Sequence, residues 1–294
     1  MTSFWQVVNQ TITEATGQPF AGTPRGSAGG GCIHDNQVLG DGQRQYFVKV
    51  NHAAALDMFI AEAQGLQALG ATPTLKIPQV IGWGEADGKA FLVLEYLPLQ
   101  RRGNWYRMGQ ALAQLHRQCL GQRYGWERDN YIGATPQKND WHDHWAEFFC
   151  TRRLGYQFQL AQRRGGRFPQ VAELLERVQA LLSGIPVEPV LVHGDLWSGN
   201  AAFTTAGDPV IFDPAVYYGH REVDIAMSEL FGGFPADFYQ GYQSTWPLDT
   251  GYAQRKVIYN LYHILNHFNL FGGSYYDQAL AMMNQIRRLP FHDS

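Results

Sequence analysis

The spacing of hydrophobic and polar positions changes near Pro98 and predicts two regions of different architecture. In the first region, YFVKV at residues 46–50 alternates and predicts a strand, and residues 77–98 predict two strands around the turn EADG. Residues 31–50 are expected to form a hairpin that turns at GDGQ. Residues 54–70 have the helical period and end at a glycine. The first region is therefore predicted to be strands, one helix and further strands.

The second region is mainly helical in its pattern. Apolar positions at helical spacing predict helices over residues 105–119, 140–162, 171–182 and 254–271, and another helix over residues 3–16 near the start of the chain. Between these helices, residues 190–193 and 209–213 predict short buried strands. Residues 22–33, GTPRGSAGGGCI, are expected to break any regular element. We predict an α+β fold with two lobes: a small β-rich N-lobe with one key helix, residues 1–97, and a larger, mostly helical C-lobe, residues 98–294.

Composition narrows the class of protein. The chain has 294 residues, 45% of them hydrophobic, and a net charge of −3, so no strong field favours nucleic acid or an anionic membrane. No apolar run reaches the roughly 18 residues of a membrane helix, and the first residues do not resemble a signal peptide. The three cysteines are far apart and odd in number, which does not suggest a disulfide framework. We therefore expect a cytoplasmic protein that binds neither nucleic acid nor membrane.

The stretch HGDLWSGN carries the first chemical signal. It follows the apolar run at 190–193 and places Asp195 five residues before Asn200. In kinases an Asp at this spacing faces the acceptor hydroxyl, and the Asn amide oxygen ligates Mg²⁺. The next predicted strand ends at Asp213, a second carboxylate for the metal. Asp195 is therefore the candidate catalytic base, and Asn200 and Asp213 are the candidate Mg²⁺ ligands. The alternative is a strand followed by an ordinary Asx-rich turn.

Upstream residues supply the other parts of an ATP site in the expected order. A glycine-rich loop can approach phosphates closely, a strand lysine can contact them, and a helix glutamate can hold that lysine. The segment around Tyr96 lies where a linker between lobes could hydrogen-bond adenine. The predicted ATP-binding residues are Gly29, Gly30, Gly31, Cys32, Lys49, Glu62, Glu95, Tyr96 and Leu97. The loop is not GxGxxG, and each residue alone is weak evidence.

The sequence also argues against a protein kinase. Asp213 is followed by proline rather than Phe-Gly, and only ten residues separate it from VDIA at 223–226. That interval is too short for an activation loop, and no Ala-Pro-Glu follows. The acceptor is therefore expected to be a small molecule.

Several longer motifs resemble one family. GGCI, FVKV, NDWHDHWAEFF, HGDLWSGN, IFDPAVYYGHREVDIAMSELFGGF and LYHILNHFNLFGG are similar to the fructosamine-3-kinase and ketosamine-3-kinase family, from about Phe4 to Arg288. The resemblance implies an aminoglycoside-phosphotransferase-like, protein-kinase-like fold. It implies ATP-dependent phosphorylation of the sugar C3 hydroxyl of ketosamines, the adducts of sugars with amines and protein lysines. The product is labile and releases the amine, so the implied outcome is deglycation. Preference among ribulosamine, fructosamine and erythrulosamine stays open.

The sugar-binding residues are less clearly marked. Candidates near the base or on the last long helix are Trp197, Asp140, Trp141, His263, Asn266 and His267. For each aromatic residue, packing in the core is an equal alternative. Asp224 and His193 are expected to be structural, Asp224 by holding the catalytic loop. The HxxxH spacing of His263 and His267 could suggest zinc, but Ile264 replaces the expected Glu and no third ligand is evident.

Cys32 closes the glycine-rich loop beside the predicted phosphate site. Backbone amides and Lys49 would lower the pKa of its thiol and favour oxidation. The resemblance supports a redox role, since a loop cysteine is typical of the family. We expect a monomer, or a redox-dependent homodimer through Cys32; the alternative is an inert small residue.

Two other functions compete with a ketosamine kinase. One is an aminoglycoside or other small-alcohol phosphotransferase of the same fold, which the net charge of −3 supports only weakly. The other is a nucleotide-binding pseudokinase, against which the joint presence of Lys49, Asp195, Asn200 and Asp213 argues.

Overall fold

The structure is a computed structural model and describes residues 3–27 and 35–290. The chain packs as two compact units. Unit 1 is Met1–Asn104 together with Gly199–Pro214, and unit 2 is Trp105–Ser198 together with Ala215–Ser294. The expected domain boundary after residue 97 stays a prediction.

In chain order the elements are α1 (Phe4–Thr16), β1 (Thr23–Ser27), β2 (Asp35–Gly40), β3 (Gln45–His52), a 3₁₀ turn (Ala53–Ala55), α2 (Leu56–Leu69), β4 (Val80–Ala86), β5 (Lys89–Glu95), β6 (Leu99–Gln100), α3 (Trp105–Gln118), β7 (Asn130–Ile132), β8 (Thr135–Gln137), α4 (Trp145–Phe148), a π-helical segment (Phe149–Gly155), α5 (Tyr156–Arg163), α6 (Val171–Ser183), β9 (Val190–Val192), β10 (Ala201–Thr204), β11 (Pro209–Ile211), β12 (Tyr217–Gly219), α7 (Glu222–Glu229), α8 (Ala236–Thr245), α9 (Tyr252–Phe271) and α10 (Tyr275–Arg287).

A five-stranded sheet forms the centre of unit 1. Its order is β1-β2-β3-β5-β4, and every neighbouring pair is antiparallel. The apolar face of α1, with Val8 and Ile12, packs against Val48 and Phe91 of the sheet. The helix predicted over residues 54–70 is α2, and the predicted turn at GDGQ joins β2 to β3. The two strands predicted around EADG are β4 and β5. One expectation was wrong: residues 23–27 form β1, because pairing with β2 supplies the order that the sequence TPRGS lacks by itself.

A smaller sheet of order β11-β10-β6 completes unit 1. A parallel bridge joins Lys76 to Val210 in β11, and the Lys76 backbone N–H donates to the Pro209 carbonyl at 2.9 Å. This pairing explains why Gly199–Pro214 belongs to unit 1 although the flanking chain belongs to unit 2. The β10–β11 hairpin has Asn200 immediately before it and Asp213 shortly after it.

Unit 2 is built mainly from helices, and its core is lined by α4 to α7, α9 and α10. The predicted helix over residues 140–162 is wrong at its start. Residues 140–144 are mostly exposed polar side chains, and α4 begins only at Trp145, whose ring is buried. The helical path then continues through the π-helical segment into α5. Two strands, β9 and β12, pair antiparallel, and β9 leads the chain into HGDLWSGN. Among the described helices, none has the length and apolar content needed to cross a membrane.

Candidate active site

Lys49 is the centre of a buried ion-pair cluster in unit 1. It lies on β3, and its Nζ is 2.6 Å from Glu62 Oε1 on α2 and 2.6 Å from Asp213 Oδ1. The Lys49 side chain is only 4% exposed, whereas that of Asp213 is 42% exposed. The structure therefore brings together three residues that the sequence proposed for one ATP site, with one carboxylate still open to solvent.

The electrostatics of this cluster keep Lys49 charged. Burial by itself disfavours the ammonium, but the carboxylates of Asp213 and Glu62 outweigh this effect and raise the pKa of Lys49 above its usual value. Lys49 is thus a permanent cation, as a contact to phosphate oxygens requires.

The β10–β11 hairpin fixes Asn200 and Asp213 in one local geometry. The Phe212 backbone N–H donates to the Asn200 carbonyl at 3.1 Å, and Asn200 Nδ2 donates to the Asp213 carbonyl at 3.4 Å. Asp213 has a φ of 56°, in the left-handed region that is uncommon for residues with a Cβ and is often found at functional sites. One carboxamide oxygen and one half-open carboxylate are hard oxygen donors of the kind that Mg²⁺ prefers, so this pair fits a magnesium site.

Asp195 lies in unit 2, in the loop that follows β9. Asp224 on α7 accepts hydrogen bonds from the His193 N–H at 2.7 Å and the Gly194 N–H at 2.8 Å. Gly194 has a φ of 81°, and a Cβ there would be 2.1 Å from the Ala215 carbonyl oxygen. Only glycine fits this position, so the loop geometry before Asp195 is set by its backbone.

Asp224 is itself held by the buried side chain of His116, which is in turn held by Tyr242; neither residue was identified from the sequence. His116 Nε2 is 3.2 Å from Asp224 Oδ2, and His116 Nδ1 is 2.9 Å from the Tyr242 hydroxyl. Burial would raise the pKa of Asp224, but the hydrogen bond and charge of His116, with help from the Gly194 N–H, hold it below its usual value. The carboxylate that supports the loop therefore stays ionised, which agrees with the expected structural role of Asp224.

His193 is also placed as a structural residue. Its side chain is fully buried, and its Nδ1 accepts a hydrogen bond from the Asp195 N–H at 3.2 Å. Nδ1 therefore orients the backbone of the predicted base.

Three aromatic rings, Trp197, Phe231 and His267, form a contiguous surface that we call the aromatic arc. Ring centroids are 6.4 Å apart for Trp197 and Phe231 and 4.6 Å apart for Phe231 and His267. Trp197 is 36% exposed. His267 Nδ1 lies 2.8 Å from the His263 carbonyl, which can only accept, so Nδ1 carries the proton. Burial lowers the pKa of His267, so the ring is neutral near pH 7 and its Nε2 is an acceptor.

Other predicted sugar residues lie apart from the arc or inside the core. Trp141 stacks on Tyr218 at 6.1 Å, and Asp140 pairs with Arg152 at 3.0 Å. His263 and Asn266 are buried within α9 packing. Within residues 3–27 and 35–290, no ring contact, ion pair or hydrogen bond joins Trp141 or Asp140 to the arc. The sugar-binding roles of these four residues stay predictions.

The predicted adenine segment has one residue already engaged. The Glu95 N–H donates to the Gln79 carbonyl at 2.8 Å, and its carboxylate is 2.7 Å from Lys76 Nζ. Tyr96 and Leu97 follow the end of β5 and are half-buried. Gly29, Gly30, Gly31 and Cys32 lie outside the described residues.

A buried polar network near the catalytic loop was not foreseen from the sequence. The Tyr262 hydroxyl donates to Gln137 Oε1 at 2.6 Å, and Gln137 Nε2 donates to Asn130 Oδ1 at 2.8 Å. Burial raises the pKa of Tyr262; the positive charge of Arg153 opposes this effect, and Tyr217 and Asp195 add to it. The phenol is therefore a neutral group within electrostatic range of the predicted base. Its residues are scattered along the chain, and no motif marks them.

Comparison with known proteins identifies the family. The family model described as fructosamine kinase matches residues 4–288. The chain belongs to the fructosamine kinase family. A protein named as a ketoamine kinase from Synechocystis is 55% identical to this family member over 97% of each chain. The chloroplastic protein-ribulosamine 3-kinase of Arabidopsis thaliana is 39% identical over 91% of this chain and 83% of its own.

Solved structures agree with this family assignment. A crystal structure named as a fructosamine-3-kinase from Haemophilus somnus has a TM-score of 0.90 and 33% identity, and covers 96% of this chain and 97% of its own. The aminoglycoside phosphotransferase APH(4)-Ia, solved with AMP-PNP and hygromycin B, has a TM-score of 0.58 and 16% identity over 95% of this chain and 96% of its own, so it shares the fold alone. The predicted family, its α+β kinase-like fold and its enzyme class, a phosphotransferase with an alcohol as acceptor, are confirmed.

Proposed function

We propose that this fructosamine kinase family member transfers the γ-phosphate of ATP to the C3 hydroxyl of ketosamines, including ribulosamine and fructosamine adducts of protein lysines. The family match over residues 4–288 carries the proposal, because the fold alone is shared with aminoglycoside phosphotransferases. Loss of the labile 3-phosphate would then free the amine and deglycate the protein.

Asp195 is the proposed base. As the C3 oxygen attacks the γ-phosphorus, the bond between that phosphorus and the bridging oxygen of the β-phosphate breaks, ADP leaves, and the hydroxyl proton passes to Asp195. This role is supported by the loop before Asp195, in which the Asp224 carboxylate accepts hydrogen bonds from the backbone N–H groups of His193 and Gly194. A carboxylate with this task needs orientation more than a raised pKa.

Lys49 is the proposed phosphate contact in unit 1. Glu62 holds its ammonium at 2.6 Å. Asn200 and Asp213 are the proposed Mg²⁺ ligands, and the bound ion would neutralise charge on the phosphate oxygens. The backbone of Tyr96 and Leu97 is proposed to hydrogen-bond the adenine edge.

The sugar is proposed to bind against the aromatic arc. The Trp197 ring offers an exposed apolar face two residues after Asp195. His267 Nε2 is the lone pair available to a sugar hydroxyl, because its Nδ1–H is already donated to the His263 carbonyl.

Three acceptors assayed side by side test this function. We expect ADP release with ribulose-lysine and fructose-lysine, no release with kanamycin, and loss of turnover when EDTA removes Mg²⁺. Asp195→Asn should lower kcat at least about 100-fold, because it keeps the shape of the side chain but cannot accept the proton. The matched control is Asp237→Asn, which changes an exposed aspartate on α8.

Different results point to different errors. Turnover of kanamycin alone would move the protein to the antibiotic-kinase class. ATP binding without turnover of any acceptor would leave a pseudokinase. Full activity in Asp195→Asn would remove the proposed base.

A further inference from the structure

The loop after α7 has an unusual backbone. Phe231, Gly232 and Gly233 have φ values of 48°, 97° and 73°, three consecutive residues in the left-handed region. Glycine adopts this region freely, but for a bulky aromatic residue it is a strained conformation. The other described non-glycine residues with a positive φ are Asp87, Gln170 and Asp213, and all three are polar. Phe231 is therefore an outlier whose position calls for an explanation.

The surrounding contacts enforce this conformation. The Phe234 N–H donates to the Ser228 carbonyl at 3.0 Å, and the same carbonyl accepts the Tyr239 hydroxyl at 3.0 Å. The Gly233 N–H donates to the Leu230 carbonyl at 3.1 Å. The loop is thus closed at its base, and a residue at its tip has little freedom to relax.

The backbone conformation of Phe231 places its ring in contact with two other aromatic rings. The Phe231 ring is half-buried and lies between Trp197 and His267, almost edge-on to Trp197 at 76°. Trp197 is two residues from the proposed base, and His267 carries the free acceptor Nε2. A ring at this point limits the space along the arc without contributing a hydrogen bond.

We propose that Phe231 sets the length of the sugar chain that the enzyme accepts. This inference rests on the proposed ketosamine kinase function. With the C3 hydroxyl at Asp195, a ribulosamine extends two carbons beyond C3 and a fructosamine three. The Phe231 ring occupies the space that the additional hydroxymethyl group needs, and it therefore favours the shorter sugar.

The expected size of the effect follows from general enzyme specificity. One additional carbon against an apolar wall changes kcat/KM by about 10- to 200-fold. Removing the wall should recover much of that difference for the longer sugar and little for the shorter one. The ratio of kcat/KM for fructose-lysine to that for ribulose-lysine is therefore the diagnostic quantity.

The test compares this ratio in wild type, Phe231→Gly and Phe231→Leu. Phe231→Gly removes the ring and suits the backbone, since glycine adopts a φ of 48° without strain. We expect it to raise the ratio about tenfold, with a smaller rise in Phe231→Leu, which keeps a branched apolar side chain. Because both sugars are assayed on one preparation, any loss of folded protein cancels in the ratio.

Phe271→Ala is the matched control. Phe271 also contacts His267, at 5.7 Å, but it is 59% exposed and makes no ring contact with Trp197 or Phe231 in the described part of the chain. We expect its ratio to equal that of wild type. A ratio in Phe231→Gly within about twofold of an active wild type would overturn this inference alone. A wild type inactive on both sugars would overturn the proposed function together with it.

Discussion

At His263, burial links the charge of one side chain to the stability of the protein. The residue is 3% exposed, and its Nδ1 has no hydrogen-bond partner among the described residues. Burial, with a smaller contribution from His267, lowers its pKa to about 3. In the unfolded chain the pKa is the ordinary value near 6.5. At a pH between these two pKa values, His263 is protonated in the unfolded chain and neutral in the folded protein.

This difference predicts a loss of stability on acidification. The free energy of unfolding falls as pH drops below about 6.5, because protonation then favours the unfolded chain. Between pH 7 and pH 5 this one group should cost about 2 kcal/mol. Urea unfolding at both pH values measures it. His263→Gln cannot be protonated and should lose that part of the pH dependence, whereas His144→Gln, an exposed change, should keep it. Equal pH dependence in wild type and His263→Gln would show that His263 is not a buried neutral ring.

Single residues also show what the sequence could and could not reveal. The order of Lys49, Glu62 and Asp213 along the chain predicted a shared site, and the three side chains do meet. Phe231 was missed, because a left-handed φ is invisible in a sequence except through the two glycines that follow. Its contact with His267 joins positions far apart in the chain, so no local spacing reports it.

At the scale of elements, α3 and α8 pack backbone against backbone. A Cβ on Gly109 would be 1.9 Å from the Phe238 carbonyl oxygen, and a Cβ on Gly241 would be 2.0 Å from the Tyr106 carbonyl oxygen. These helices carry His116, which contacts Asp224, and Tyr242, whose hydroxyl contacts His116. The close approach of two helices therefore supports the loop that precedes Asp195.

Gly109→Ala should consequently impair both stability and catalysis. A methyl group that meets backbone cannot be relieved by a rotamer change, so we expect a loss of about 3 kcal/mol in unfolding free energy. The measurement is the urea midpoint, together with kcat on a ketosamine. Gly184→Ala is the control, since a Cβ there is no nearer than 4.0 Å to any neighbour. If Gly109→Ala unfolded at the wild-type midpoint, the two helices would not be in this close contact.

The elements that periodicity predicted best are those with one buried face. The helix expected over residues 3–16 is α1, Phe4–Thr16, and its buried residues Phe4, Val8 and Ile12 recur at helical spacing on one face. The helix prediction was wrong for residues 140–144, because Trp141 falls at a helical position in the sequence whereas its ring packs on Tyr218. Strand β1 was not predicted, because its sequence does not alternate between apolar and polar residues and the strand is ordered by pairing with β2.

For the whole molecule, the cysteines predict a response to oxidants. Cys150 is buried, which raises its thiol pKa to about 12, so it should stay reduced and inert. Cys32, outside the described residues, remains the proposed redox site. Mild peroxide should produce a dimer on a non-reducing gel for wild type but not for Cys32→Ser, and dithiothreitol should reverse it. A wild type that stays monomeric after peroxide would refute the redox proposal.

The path of the chain through the two units limits how this protein can be divided. The chain leaves unit 1 after Asn104, returns at Gly199 and leaves again after Pro214. No single cut in the gene can therefore separate the units. A fragment that stops at Asn104 lacks Asp213 and keeps Lys49 with Glu62 as its only described counter-ion. An ancestral or engineered version of unit 1 alone would need the β10–β11 hairpin spliced onto it, so gene fusion of two independent halves is a poor route to this architecture.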